Sequence, residues 1–200
     1  FDGLEKLDYH SEHYTLNLLT PNFTPDPLPV GVTRPTIWMG GVNKNIVELA
    51  GRIASGFVTH PTNSHPRYLR ELCRPGLEVG AHQAGRSVND AELVVGTQWI
   101  LGRTQDDLDE RREHNRRLLA FLYSTPAYER TLDLFGWTDL AAQLRSLIRD
   151  QRWDDLSDVI SDEMLDTLVP QATYEHLADV AMEWFGELAA GILVAPPPNS

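Results

Sequence analysis

Short apolar runs, each closed by turn formers and followed by apolar residues at helical spacing, recur along this chain and constrain its fold more than any other feature. The first run is Thr36-Ile37-Trp38-Met39, closed by Gly40-Gly41. Asn43 is placed to cap a helix whose stripe is Ile46, Val47, Leu49, Ala50 and Ile53. A second run, Gly56-Phe57-Val58-Thr59-His60, is followed by Ser64-His65-Pro66, which opens a helix through Tyr68, Leu69, Leu72 and Leu77. A third extends from Glu92 to Leu101 and leads, past Gly102-Arg103, into a long charged helix over Asp107 to Arg117. Further amphipathic helices break near Pro126, Gly136 and Pro170, and the last, Ala172 to Leu188, carries Leu177, Val180, Ala181, Trp184, Phe185 and Leu188 as its stripe. The final run is Gly191-Ile192-Leu193-Val194-Ala195.

Strands alternating with helices require a parallel sheet with right-handed crossovers. The fold class is therefore α/β, either an open doubly wound sheet or part of a (β/α)8 barrel. The last strand has no helix after it and the chain does not open on Met, so a chain cut at both ends is expected. At 200 residues with 42% apolar residues, a single domain over 1–200 is expected. Within it, residues 1–35 read as an extended, proline-rich excursion in which Tyr14, Leu16 and Leu18 alternate to form one buried face. Residues 36–200 read as β/α units with a helical insertion over about 105–188.

Composition narrows the partners. A net charge of −12 disfavours nucleic acid, which is held by releasing counterions from a basic face. No apolar run approaches a membrane span and residues 1–3 lack a signal core, so a cytoplasmic chain is expected. The lone Cys73 falls in an apolar helical pattern, where an inert buried thiol is expected. Gly-x-Ser-x-Gly, Gly-Lys-Ser and Gly-x-Gly-x-x-Gly motifs are absent, which removes the hydrolase, phosphate-loop and dinucleotide-fold readings. His10 with His13, and His60 with His65, are metal-ligand pairs only on paper: the first lies in a turn-prone segment with no cysteine cluster, and no metal site is expected. The charged run from Asp106 to Arg117 reads as a solvated helix face.

The string from Pro35 to Asn43, then Val47-Glu48-Leu49-Ala50-Gly51-Arg52-Ile53-Ala54-Ser55-Gly56-Phe57-Val58-Thr59-His60-Pro61, resembles the luciferase-like monooxygenase superfamily. That pattern is an apolar strand ending in Gly-Gly, a helix carrying Leu-Ala-Gly, and a short strand after Asp-Gly; Ser55 replaces the aspartate here. The Thr59-His60-Pro61 ending is most similar to the F420-dependent oxidoreductase subgroup. The resemblance covers nearly the whole chain and implies strands at 36–39, 56–60, 92–101 and 191–195 as the last four of a barrel's eight.

It further implies hydride transfer between coenzyme F420, with FMN as the alternative, and an organic small molecule. Gly40, Gly41 and Val42 would meet the cofactor's phosphate end, where glycine lets the backbone approach an anion and the amides after Asn43 point at it. Thr59 and His60 end the next strand on the side where barrel sites form, with a histidine satisfied by the loop as the plain alternative. The catalytic acid and base stay unassigned. Trp38 and Trp99 read as core or pocket wall, and Arg103 as solvated. The rival reading is a non-catalytic half-barrel or scaffold that pairs with another chain, and a second copy is the partner expected for it.

Overall fold

A computed structural model describes residues 6–195, which form two compact units that divide between Pro35 and Thr36. In the first unit, β1 (Tyr9–His10) and β2 (Thr15–Leu16) pair antiparallel with Tyr9 opposite Leu16. Ser11 Oγ accepts the Tyr14 amide at 3.0 Å and closes the turn. The extended conformation agrees with the alternating pattern, but the expected buried face is exposed: Tyr14, Leu16 and Leu18 all face solvent. Two-residue strands offer this unit no second layer, so alternation marks a face without covering it. His10 Nε2 lies 2.8 Å from Asp8 Oδ1.

The second unit runs β3 (Trp38–Gly41), α1 (Lys44–Ile53), β4 (Gly56–Thr59) and a helix in three stretches: α2 (Pro66–Tyr68), a π-type turn (Leu69–Cys73) and α3 (Arg74–Gln83). Then come β5 (Glu92–Gly96), β6 (Ile100–Gly102), α4 (Gln105–Tyr123), α5 (Arg130–Leu134), α6 (Leu140–Arg149) and α7 (Asp162–Leu168). β7 (Gln171–Thr173), α8 (Leu177–Phe185) and β8 (Gly191–Leu193) complete it. Strands β3, β4, β5 and β8 form one parallel sheet in that order, the α/β arrangement the alternation implies.

Two expectations need correction. The run 92–101 is not one strand: Gly96 ends β5, the chain turns outward, and β6 pairs with β7 in a separate two-stranded parallel sheet. Ten residues in one strand would overshoot four-residue neighbours, and the Ile100 amide instead finds Pro170 O at 3.1 Å. For the same reason the stretch 105–188 is not wholly helical, and its last helix begins at Leu177, after β7, rather than at Ala172.

Register and period two assign the sheet's faces. Met39, Phe57, Leu93 and Val95 face the helices and pack with Val47, Ala50, Leu69, Cys73 and Leu77. Burial pushes the Cys73 thiol up to about 12, the inert state expected of it. Trp38, Gly40, Val58, Val94 and Leu193 occupy the other face, where the Trp38 ring lies against Gly56. A second core, formed by α4, α6 and α7, gathers Leu119, Tyr123, Leu144 and Leu165. Arg112 and Arg116 of α4 both reach Asp162 at the start of α7 and tie the two helices together. Among the described residues no helix is long and apolar enough to cross a membrane.

Candidate functional site

Parallel sheets place their chemistry at the carboxyl ends of the strands, and the residues singled out by sequence fall there. Gly40 and Gly41 close β3, and Asn43 caps α1 by accepting the Ile46 amide at 2.9 Å. The amides of Lys44 and Asn45 have no partner within the helix, as the first turn of any helix dictates, and they carry the positive end of its dipole. The two glycines differ in purpose. Gly41 points to the helix side, where an added Cβ would sit 2.5 Å from Ile46 Cγ2; its missing side chain is a packing requirement. Gly40 points to the open face, where an added Cβ would meet only Val58 O, at 3.3 Å. Val42 lends its carbonyl to the Tyr68 hydroxyl at 3.3 Å.

Thr59 and His60 are adjacent in sequence and opposite in direction. Thr59 is buried, and its hydroxyl donates to Gly96 O (3.2 Å) while accepting the Gly96 amide (3.1 Å), so it clamps the ends of β4 and β5 together. His60 follows on the face shared by Gly40 and Val58. Its Nδ1 lies 2.8 Å from Thr62 Oγ1 and its ring stacks on Tyr128 at 4.4 Å between centroids. Nε2 has no hydrogen bond among the described residues. Burial lowers the pKa of His60, which keeps the ring neutral near pH 7.

The turn after β4 is held in place from several sides. Thr62 O accepts from Tyr123 Oη (3.0 Å) and Thr131 Oγ1 (2.6 Å), and Ser64 Oγ donates to Thr97 Oγ1 at 2.8 Å. One residue in this turn is left incomplete. Asn63 is 1% exposed and its Oδ1 accepts from Thr62 Oγ1, but its Nδ2 has no partner. The same amide faces the Tyr68 hydroxyl without forming a well-aligned hydrogen bond to it; burial raises the Tyr68 pKa, and the weaker pull of the amide lowers it. The strand end of β3 and the turn after β4 thus share one neighbourhood, linked through Tyr68, with unused N–H donors on both sides. Sequence reading passed over Asn63 and placed Tyr68 only in the apolar stripe of its helix. The available signal was a polar residue two places past a strand-ending His-Pro, which spacing alone does not distinguish from a turn former.

The two tryptophans differ: Trp99 packs against the helix-side core, and Trp38 does not. Trp38 is 41% exposed, and Trp99, half-buried, donates from Nε1 at 3.3 Å to the carbonyl oxygen of Leu193, the last residue of β8. The Arg103 side chain is exposed, as expected of a solvated arginine. His65 caps α2 by accepting the Arg67 amide at 3.0 Å and packs against Phe135 and Trp184.

This geometry, a glycine-closed strand followed by a capped helix and a histidine-tipped neighbour, accompanies a clear sequence match. The profile of the luciferase-like monooxygenase family aligns with residues 1–189. The chain belongs to that family. Its members are oxidoreductases or monooxygenases. Uncharacterized proteins of Mycobacterium bovis and Mycobacterium tuberculosis are 34% identical to it over 160 residues, 80% of this chain and 46% of theirs. The chain therefore spans about half the length of the curated relatives it matches.

Solved structures place the fold in the same class. The coenzyme F420-dependent tetrahydromethanopterin reductase of Methanopyrus kandleri superposes with a TM-score of 0.65 at 21% identity, covering 81% of this chain and 45% of that one. An F420-dependent secondary alcohol dehydrogenase, solved with an F420–acetone adduct, gives 0.61 at 14% identity, covering 96% and 50%. At these identities the likeness establishes the fold, the (β/α)8 barrel type, of which this chain spans about half.

Proposed function

We propose that this chain forms the cofactor-holding part of an F420-dependent oxidoreductase that moves a hydride between the deazaflavin and an organic substrate, with FMN as the alternative cofactor. The observation that carries the reading is Asn63 Nδ2, a buried donor that faces Tyr68 without a well-aligned hydrogen bond, in the same neighbourhood as the first-turn amides of α1, which have no partner within the helix. A buried donor left unpaired costs about 1–3 kcal/mol, and an anionic group at this place would satisfy it together with the amides. Lys44, the first residue of α1, is exposed and pairs with Glu48 at 3.4 Å, which places a positive charge at a helix end that otherwise disfavours one. Both similar folds named above are F420 enzymes, which favours the deazaflavin over FMN.

When bound, the deazaflavin would supply the hydride chemistry, and the protein's share is orientation and electrostatics. Gly40 keeps the β3 end open, Gly41 and Val42 set the path of the backbone into α1, and Asn63 and the α1 amides bind negative charge. Thr59 acts indirectly, by fixing the relative heights of the β4 and β5 ends. His60, neutral and with Nδ1 accepting the Thr62 amide, presents Nε2–H as a hydrogen-bond donor to the bound group.

Separate titrations with F420 and FMN, followed by F420 fluorescence and flavin absorbance, test this reading. Saturable F420 binding is expected, and Gly40→Asp should abolish it by placing a carboxylate on the open face where the anionic end would sit. Affinity unchanged in Gly40→Asp would overturn the assignment.

A further inference from the structure

A cavity of about 410 Å³ lies at the carboxyl ends of β5 and β8, walled by Trp99 and roofed by α4 and Tyr174. Its polar lining is oriented by neighbours. Gln98 Nε2 donates to Asn115 O at 3.3 Å, and Asn115 Nδ2 donates to Arg111 O at 3.0 Å. Both amides therefore have their nitrogens committed to backbone carbonyls. Gln98 Oε1 is left as a buried acceptor, on a side chain only 9% exposed, with no partner among the described residues.

Arg111, His114 and Asn115 share one side of α4, at the three- and four-residue spacings that align side chains on a helix. Arg112 and Arg116, on another side of the same helix, are paired with Asp162. Arg111 lines the cavity instead; among the described residues its guanidinium forms no hydrogen bond or ion pair, and it interacts only at longer range with Asp107, one turn earlier on the helix. The indole of Trp99 is fixed by its bond to Leu193 O and by an edge contact with Phe185 at 6.2 Å. One wall is thus rigid and flat, one carries a guanidinium with its hydrogen-bond donors uncommitted, and the floor presents a buried acceptor that needs a donor.

We propose that this cavity binds a hydroxylated organic anion, its negative group on Arg111 and a hydroxyl donating to Gln98 Oε1, as the polar end of the substrate. The inference rests on the reading of the strand ends as the reaction site, but it concerns residues distinct from those assigned to the cofactor. A guanidinium prefers an anionic acceptor, and a buried carbonyl acceptor selects for a ligand with an O–H. An anion lacking that hydroxyl would leave Oε1 unpaired and lose affinity for the same reason that sites built around a hydrogen bond reject analogues without it.

Gluconate, a carboxylate bearing hydroxyls, and hexanoate, of equal chain length without them, are suitable probes for calorimetric or NMR titration of the full chain with no cofactor present. Gluconate should bind saturably and about tenfold or more tighter than hexanoate, the discrimination expected from one buried hydrogen bond. Arg111→Gln, on a partly exposed helix face, should weaken both probes about tenfold. Gln98→Leu should erase the preference for gluconate while leaving hexanoate unchanged; if that variant does not fold, the isosteric Gln98→Glu should repel both probes. No saturable gluconate binding, or wild-type affinities in the folded variants, overturns the proposal. Gluconate binding without any F420 or FMN binding would keep the pocket and overturn the cofactor reading, and the converse result would do the reverse.

Discussion

At the scale of single residues, the histidines of this chain show how a side chain's neighbours set its protonation. His65 sits between Phe135 and Trp184, with Arg67 and Arg70 nearby; burial first, and those cations second, lower its pKa to about 4. In the unfolded chain it would titrate near 6.5. Above that value it is neutral in both states and adds no pH dependence. As the pH falls from about 6.5 to about 4, the unfolded chain gains a proton that the folded chain refuses, so stability is lost across that window and the loss levels off below it. Asp162 and Asp166, held below the usual carboxylate range by Arg116 and Arg112, lose their stabilising contribution only at lower pH. Urea midpoints measured from pH 7 to 4 should fall in wild type and fall less in His65→Gln, which keeps a polar cap but does not titrate there. Equal slopes would show that His65 is solvated in the folded chain. The same reasoning separates Thr59 from His60: alternation along β4 was visible in sequence, but which of the two turned to the helices became legible only once register with β3 and β5 was known.

At the scale of elements, what the sequence revealed was the local pattern, and what it hid was tertiary pairing. The β/α units at 36–60 were readable because Asn43, the α1 stripe and the glycines agree with one another. The break between β5 and β6 was not readable, because Thr97-Gln98-Trp99 contains no glycine or proline to mark a turn, and only the partner strand β7, some seventy residues on, decides where pairing changes sheet. The crossing of α1 with α3 was hidden too. Gly51 and Gly80 let the two helices touch backbone to backbone: a Cβ on Gly80 would be driven into the Glu48 carbonyl oxygen, and one on Gly51 into the carbonyl of Leu77. Helix propensity alone predicts that Gly80→Ala stabilises α3 by about 1 kcal/mol. The crossing predicts the opposite, a net destabilisation of about 1–3 kcal/mol, because a fixed carbonyl cannot move aside as a flexible side chain would. Chemical denaturation of Gly80→Ala decides the sign, and Gly85→Ala, with open space around it but a left-handed φ of 66°, serves as a control for backbone strain without crowding.

At the scale of the molecule, the four-stranded parallel sheet has unequal faces. Parallel sheets are ordinarily covered on both sides, and the alternation of the strands supplies apolar residues for both. The helix side is filled by the core around Phe57, Leu93 and Val95. The other side carries Trp38, Val58, Val94 and Leu193, and Leu193 is 54% exposed whereas Leu93 is 5% exposed. These two leucines, on neighbouring strands of one sheet, make a direct test of what covers the open face. Leu93→Ala should cost about 2–5 kcal/mol, the usual price of a cavity in a packed core. Leu193→Ala should cost about 0.5 kcal/mol or less if the face is open to solvent in the isolated chain. If both substitutions cost alike, and the cost for Leu193 grows with protein concentration, the face is covered by a second copy of the chain, and the unequal faces are an interface between copies. If the costs differ as expected at every concentration, the open face is free, and the strand ends above it are accessible from the same side as Gly40 and His60.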